Sequence, residues 1–100
     1  MSLYYTQKLL YQLNRDPEFR ARFKADTAAT LNAFELTDEE RRAILDADIG
    51  LLYVLGVNGQ LLMHFAAFHG YEWNRYLDAM REGVRRHGPV RAGLYAMVAE

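Results

Sequence analysis

The sequence predicts an all-α fold, a compact orthogonal bundle of about six to seven short helices around an apolar central helix. Three observations carry this. The run from Ile49 to Tyr71, IGLLYVLGVNGQLLMHFAAFHGY, holds no Asp, Glu, Lys or Arg, whereas charge is scattered through every other part of the chain. In a chain of 100 residues such a run is the core on which amphipathic segments lean. Helix start signals recur at short intervals, at Asp16-Pro17, Asp26, Thr37 to Glu40 and Asn58. Finally, no stretch sustains the period-two alternation of a half-buried strand between turn signals. The central run is not expected to span a membrane, because Gly50, Gly56, Asn58, Gly59 and Gln60 interrupt it. Two short helices joined at Gly56-Val57-Asn58 are expected instead.

Taken in order, Leu3 to Leu13 forms the opening helix, with Leu3, Thr6, Leu10 and Leu13 on one face and Leu9 beside it. Asn14 and Arg15 end it. Asp16 suits the N-cap of the next helix and Pro17 its first position, where a missing amide proton costs nothing. Phe19 and Phe23 share the inner face of that short helix. Asp26 caps a further one through Thr27, Ala28, Leu31 and Phe34. Thr37-Asp38-Glu39-Glu40 is a capping box whose acidic first turn also complements the helix dipole. Ile44 and Leu45 then face inward.

Asp46 and Asp48 both qualify to start the segment Ile49 to Leu55, helical despite Gly50 because Leu51, Leu52 and Leu55 recur at helical spacing. Gly56 stops it. Asn58 caps Gly59 to His69, whose two apolar stripes (Leu61, Phe65, Phe68 and Leu62, Ala66, His69) predict a helix nearly surrounded by protein. Gly70 closes it. Glu72 to His87 reads as amphipathic, with Trp73, Tyr76, Leu77, Met80 and Val84 inward and Arg75, Asp78, Arg81, Glu82, Arg85 and Arg86 outward. Gly88-Pro89 breaks it, and Val90 to Val98 reads as one more short helix. Residues 1–100 form one domain, with 71–100 a C-terminal helical extension.

Composition excludes several classes of chemistry. With no cysteine there is neither thiolate catalysis nor a cysteine-bound metal, and with Ser2 as the lone serine there is no serine-based triad. His64 and His69 are five apart, off a common helix face, and no carboxylate lies between Ile49 and Tyr71 to complete a metal site. No cofactor is expected in this chain. The carboxylates sit at caps and on solvated faces. A formal net charge of -1 argues against a nucleic-acid partner held by bulk electrostatics. Arg81, Arg85, Arg86, His87 and Arg91 are the most basic cluster, read as a solvated face. The start, MSLYYTQKLL, lacks the build of a signal peptide, so a cytoplasmic location is the expectation. Thirteen aromatic residues (seven Tyr, five Phe, one Trp) fill the core or line a partner surface.

The run Asp16 to Phe23, then Asp26, then Phe34-Glu35-Leu36-Thr37-Asp38-Glu39-Glu40-Arg41, then Asp46 to Gly56 with Asn58, resembles the small alpha subunit of protocatechuate 4,5-dioxygenase-type extradiol ring-cleavage enzymes, a LigA-like domain. The resemblance spans about Leu3 to Gly70 and rests on a D-P-E helix start, an L-T-D-E-E-R start and a D-x-x-x-L-Y-x-L-G-x-N step. Glu35 departs from the glycine usual in that family, and Glu72 to Glu100 carries no part of the match. What the resemblance implies is an all-helical, non-catalytic accessory subunit beside a larger catalytic subunit. The Fe(II), held by two histidines and a glutamate, belongs to that partner, whose substrate pocket the small subunit helps to close. Asn58, Leu62 and Phe65 are the pocket-facing residues it points to. An alternative of a different class is a standalone helical module that binds a peptide or small molecule in a cleft near His64 and Trp73. Homodimerisation through the aromatic-rich helices is compatible with the pattern, although no heptad repeat specifies it.

Overall fold

The computed structural model describes residues 2–90. Apart from Val90, the short helix expected over Val90 to Val98 lies outside the described residues. Among the described residues seven helices follow one another: α1 Ser2–Arg15, α2 Pro17–Ala25, α3 Thr27–Leu31, α4 Asp38–Leu45, α5 Ile49–Leu55, α6 Gly59–Phe68 and α7 Trp73–His87. No strand occurs among the described residues, so the protein is all-α, as its patterning predicts.

The junctions form where local chemistry puts them. The Asp16 carboxylate accepts from the amides of Glu18 and Phe19, with Pro17 at the first helical position. Asp26 closes α2 through its own amide and caps α3 through its carboxylate. The capping box is complete: the Glu40 amide donates to Thr37 Oγ1 at 3.1 Å, and the Thr37 amide donates to Glu40 Oε1 at 2.9 Å. Of the two aspartates available to start α5, Asp48 is the N-cap, while Asp46 ends α4. Helix α3 stops at Leu31, short of Phe34.

Three helices end in the same two-bond motif, a 6→1 and a 5→2 amide–carbonyl pair. At α5 the donors are Val57 and Gly56, at α6 they are Tyr71 and Gly70, and at α4 they are Asp48 and Ala47. The motif demands a left-handed residue, and Gly56 and Gly70 supply it without strain. At α4 that place is taken by Ala47, with φ at 50°. An alanine held there costs roughly 1–2 kcal/mol, partly offset by the smaller entropy it loses on folding. Ala47→Gly is therefore expected to raise stability by about 0.5–1 kcal/mol, read as a higher urea midpoint with an unchanged slope.

Helix α5 is the centre of the bundle. It packs against α4, α6 and, most extensively, α7, while α1 packs against α6 and α2. Ile49, Gly50, Leu51, Leu52 and Val54 are all buried. The other core side chains reach inward from the flanking helices: Leu9 and Leu13 from α1, Phe23 from α2, Ile44 from α4 and Leu62 from α6. Gly50 makes the α5–α7 contact close. A Cβ added at Gly50 would lie 2.6 Å from the Ala79 carbonyl oxygen and 2.7 Å from Gly83 Cα. One added at Gly83 would lie 2.3 Å from the Gly50 oxygen. The two helices thus cross backbone on backbone.

Several side chains face otherwise than the pattern predicts. Leu45, Trp73 and Val84 are exposed, not inward, because α7 turns Tyr76 and Gly83 toward α5 and α4 turns Ala43 and Ile44. Helix α6 is not surrounded. It buries Leu62, Phe65 and Ala66 and leaves Gln60, Met63, Ala67 and His69 open.

Candidate functional site

The break between α5 and α6 is a rigid corner. Gly56 turns the chain, Val57 is buried behind it, and Asn58 emerges exposed as the N-cap of α6. The Asn58 side chain accepts from the amides of Gln60 at 2.9 Å and Leu61 at 3.2 Å. The Asn58 backbone N–H donates to Gln7 Oε1 at 2.6 Å, which ties the corner to α1 across 51 positions of sequence. Removing the cap with Asn58→Ala should cost about 1 kcal/mol, whereas Asn58→Asp, an equally good cap, should retain it. Thermal melts of the two variants check this.

The first turn of α7 meets the same corner. Tyr76 is buried, and its hydroxyl donates to the Gly59 carbonyl at 3.2 Å. Burial, and secondarily the nearby Tyr53, push its pKa above the ordinary tyrosine value, so the phenol stays neutral and keeps its proton for that bond. Trp73 leans on the Tyr76 ring at 5.6 Å between centroids yet remains 59% exposed. A tryptophan this open adds little to the core. Arg75 lies 4.2 Å over the Tyr71 ring beside it. The result is a fixed, exposed aromatic surface next to a fixed helix start, with Tyr76 joining the two.

Compared with protein-family models, residues 6–85 match the family described as aromatic-ring-opening dioxygenase LigAB, LigA subunit. The chain belongs to the LigA subunit family. No curated protein and no solved structure matched it. The LigA match runs past Gly70, where the legible motifs end, and takes in most of α7. That reach agrees with the packing, since α7 is the most extensive neighbour of α5.

Among the described residues of this LigA-family chain, no three or more His, Asp or Glu side chains gather as metal ligands. No helix among them is long and apolar enough to cross a membrane. The residues the sequence singles out separate into three groups. Asn58 and Trp73 are exposed and linked through Tyr76 and Gly59. Leu62 and Phe65 are 0% and 2% exposed and belong to the core, Phe65 lying edge-on to Phe23 at 6.5 Å. His64 lines a recess of only about 40 Å³ with Leu10, Leu13 and Arg20, and Trp73 is not part of that lining. His69, the α6 C-cap, sits edge-on to Phe65 at 4.6 Å. Partial burial of its ring lowers its pKa from the ordinary histidine value.

Two members of the corner escape the sequence pattern. Gln7 reads as a polar position on an amphipathic helix, and nothing local points it at Asn58. Tyr76 is legible as inward, but its reach to Gly59 depends on how α7 docks.

Proposed function

We propose that the chain is a non-catalytic accessory subunit of an aromatic-ring-opening dioxygenase. It docks on a larger catalytic subunit that holds the Fe(II) and helps to close the substrate pocket there. The supporting observation is the Trp73 corner in a LigA-family chain: an open tryptophan, held in place by a buried tyrosine. Tryptophan is enriched among the few residues that dominate binding energy, and a pre-positioned ring loses little freedom when a partner covers it. Asn58 and the exposed start of α6 border it and supply polar edges for orientation.

Co-expression with an extradiol catalytic subunit tests this. The expected result is a stoichiometric complex, weakened about 30-fold or more by Trp73→Ala, which corresponds to about 2 kcal/mol. The melting temperature of the free Trp73→Ala chain should stay within the range of about 0.5 kcal/mol typical of surface changes. Affinity that is indifferent to Trp73 would reject the docking surface.

A further inference from the structure

Helix α7 is apolar over more of its surface than α5 covers. Tyr76 and Gly83 are its buried residues, and Gly83 lies backbone to backbone with Gly50. Beside them runs a second apolar row, Trp73, Leu77, Met80 and Val84, spaced four, three and four residues apart. That spacing puts all four on one edge of the helix, over about 16 Å. Trp73 is exposed, Val84 is 38% exposed, and Leu77 and Met80 are half-buried against the rim of the core. Among the described residues, α5 is the one helix that packs extensively on α7, so the row has no helix of its own to cover it.

Charge does not account for the row. Arg81 pairs with Asp78, and Arg85 and Arg86 pair with Glu82, so the arginines of the last two turns are satisfied within α7. What the edge offers is apolar contact in a line. The helix is also fixed in rotation, because Gly83 lies against Gly50 and the Tyr76 hydroxyl holds the Gly59 carbonyl. The row is therefore presented in one orientation, and a partner that covers it need not reorder it.

We propose, resting on the accessory role set out above, that the catalytic subunit receives this edge of α7 in an apolar groove, so that docking runs from the Trp73 corner along three turns to Val84. Apolar anchors at i, i+4, i+7 and i+11 are the pattern by which a groove reads one side of a helix. Trp73 heads the row, so the partner that covers the Trp73 corner meets Leu77, Met80 and Val84 next along the same helix. A bilayer is a poorer fit. With Tyr76 and Gly83 committed to the fold, α7 cannot turn its wide apolar side into lipid, and its paired arginines leave little charge to draw it to anionic headgroups.

Isothermal titration of the full chain into an extradiol catalytic subunit tests it. Val84→Glu is expected to weaken the complex about tenfold or more, Val84→Leu to keep it, and Arg86→Ala, on the opposite face of α7, to leave it unchanged. The free Val84→Glu chain should melt within about 4 °C of the parent, as a surface change does. A complex weakened by Trp73→Ala but indifferent to Val84→Glu overturns the groove and leaves the accessory role standing, whereas no complex with the parent chain removes both. The groove is also overturned if Val84→Glu sharply lowers the melting temperature of the free chain, which would mean that the chain itself covers the edge. A parent dimer that Val84→Glu turns into a monomer in sedimentation, or binding to anionic lipid vesicles that Val84→Glu abolishes, overturns it in favour of a second copy or a membrane.

Discussion

Gly83→Ala is expected to destabilise the protein by about 2 kcal/mol or more, although alanine is the better helix former by about 1 kcal/mol. The reason is what the new methyl would strike. Its nearest neighbours are the oxygen, Cα and carbonyl carbon of Gly50, all within 2.5 Å. A side chain in the way can change rotamer, but helix backbone cannot, so α5 and α7 would have to separate. Separation loosens the largest helix pair in the bundle and exposes part of the buried row on α5. Gly50→Ala should do the same from the other side, meeting Ala79 and Gly83 backbone. For a domain of this size the melting temperature should fall by roughly 10 °C or more. Gly59→Ala is the control: a Cβ there meets nothing within 4 Å, and the variant should be neutral or slightly more stable. Equal melting temperatures for Gly83→Ala and the parent would mean that the helices do not cross so closely.

The second large effect is at Phe65. As a pocket-facing residue it would change partner or substrate binding when truncated and leave the fold intact. As the core residue it is, 2% exposed and packed edge-on to Phe23 and His69, its truncation should cost about 3–5 kcal/mol. That is a large share of the roughly 5–15 kcal/mol that holds a small domain together. Phe65→Ala should therefore melt far below the parent or fail to fold. Trp73→Ala, on the exposed side of α7, should melt with the parent. Denaturant titration of the two variants separates a core aromatic from a surface one. A Phe65→Ala chain of parental stability would restore Phe65 as a binding residue.

The caps at Asp16, Asp26, Thr37, Asp48 and Asn58 involve groups within three residues of one another, so their chemistry is legible locally. So is the glycine stop at Gly56. The Gly50–Gly83 crossing is not, because each glycine alone reads only as a weak point in a helix. Facing is the other loss. Trp73, Val84 and Leu45 are apolar at helical spacing, and periodicity cannot say which edge of an apolar stripe the neighbouring helix covers. On α6 the ambiguity ran the opposite way. A helix apolar on two stripes gives no sign that Leu62 and Phe65 point inward while Met63 and Ala67 are open. Of the site residues the sequence offers, Asn58 and Trp73 are exposed and linked only through Gly59 and Tyr76. The Gln7 tether depends on a contact between helices and appears only once the chain is folded.

On the proposed function, this LigA-family chain works by completing another subunit. The direct measurement is to titrate it into an extradiol catalytic subunit from the same genome and follow ring opening of the aromatic substrate. Activity is expected to rise and saturate at equimolar chain, and Trp73→Ala is expected to shift the titration to much higher concentration without lowering the chain's own melting temperature. Ring opening that is unaffected by the chain at saturating concentration, or a titration identical for Trp73→Ala, would contradict it.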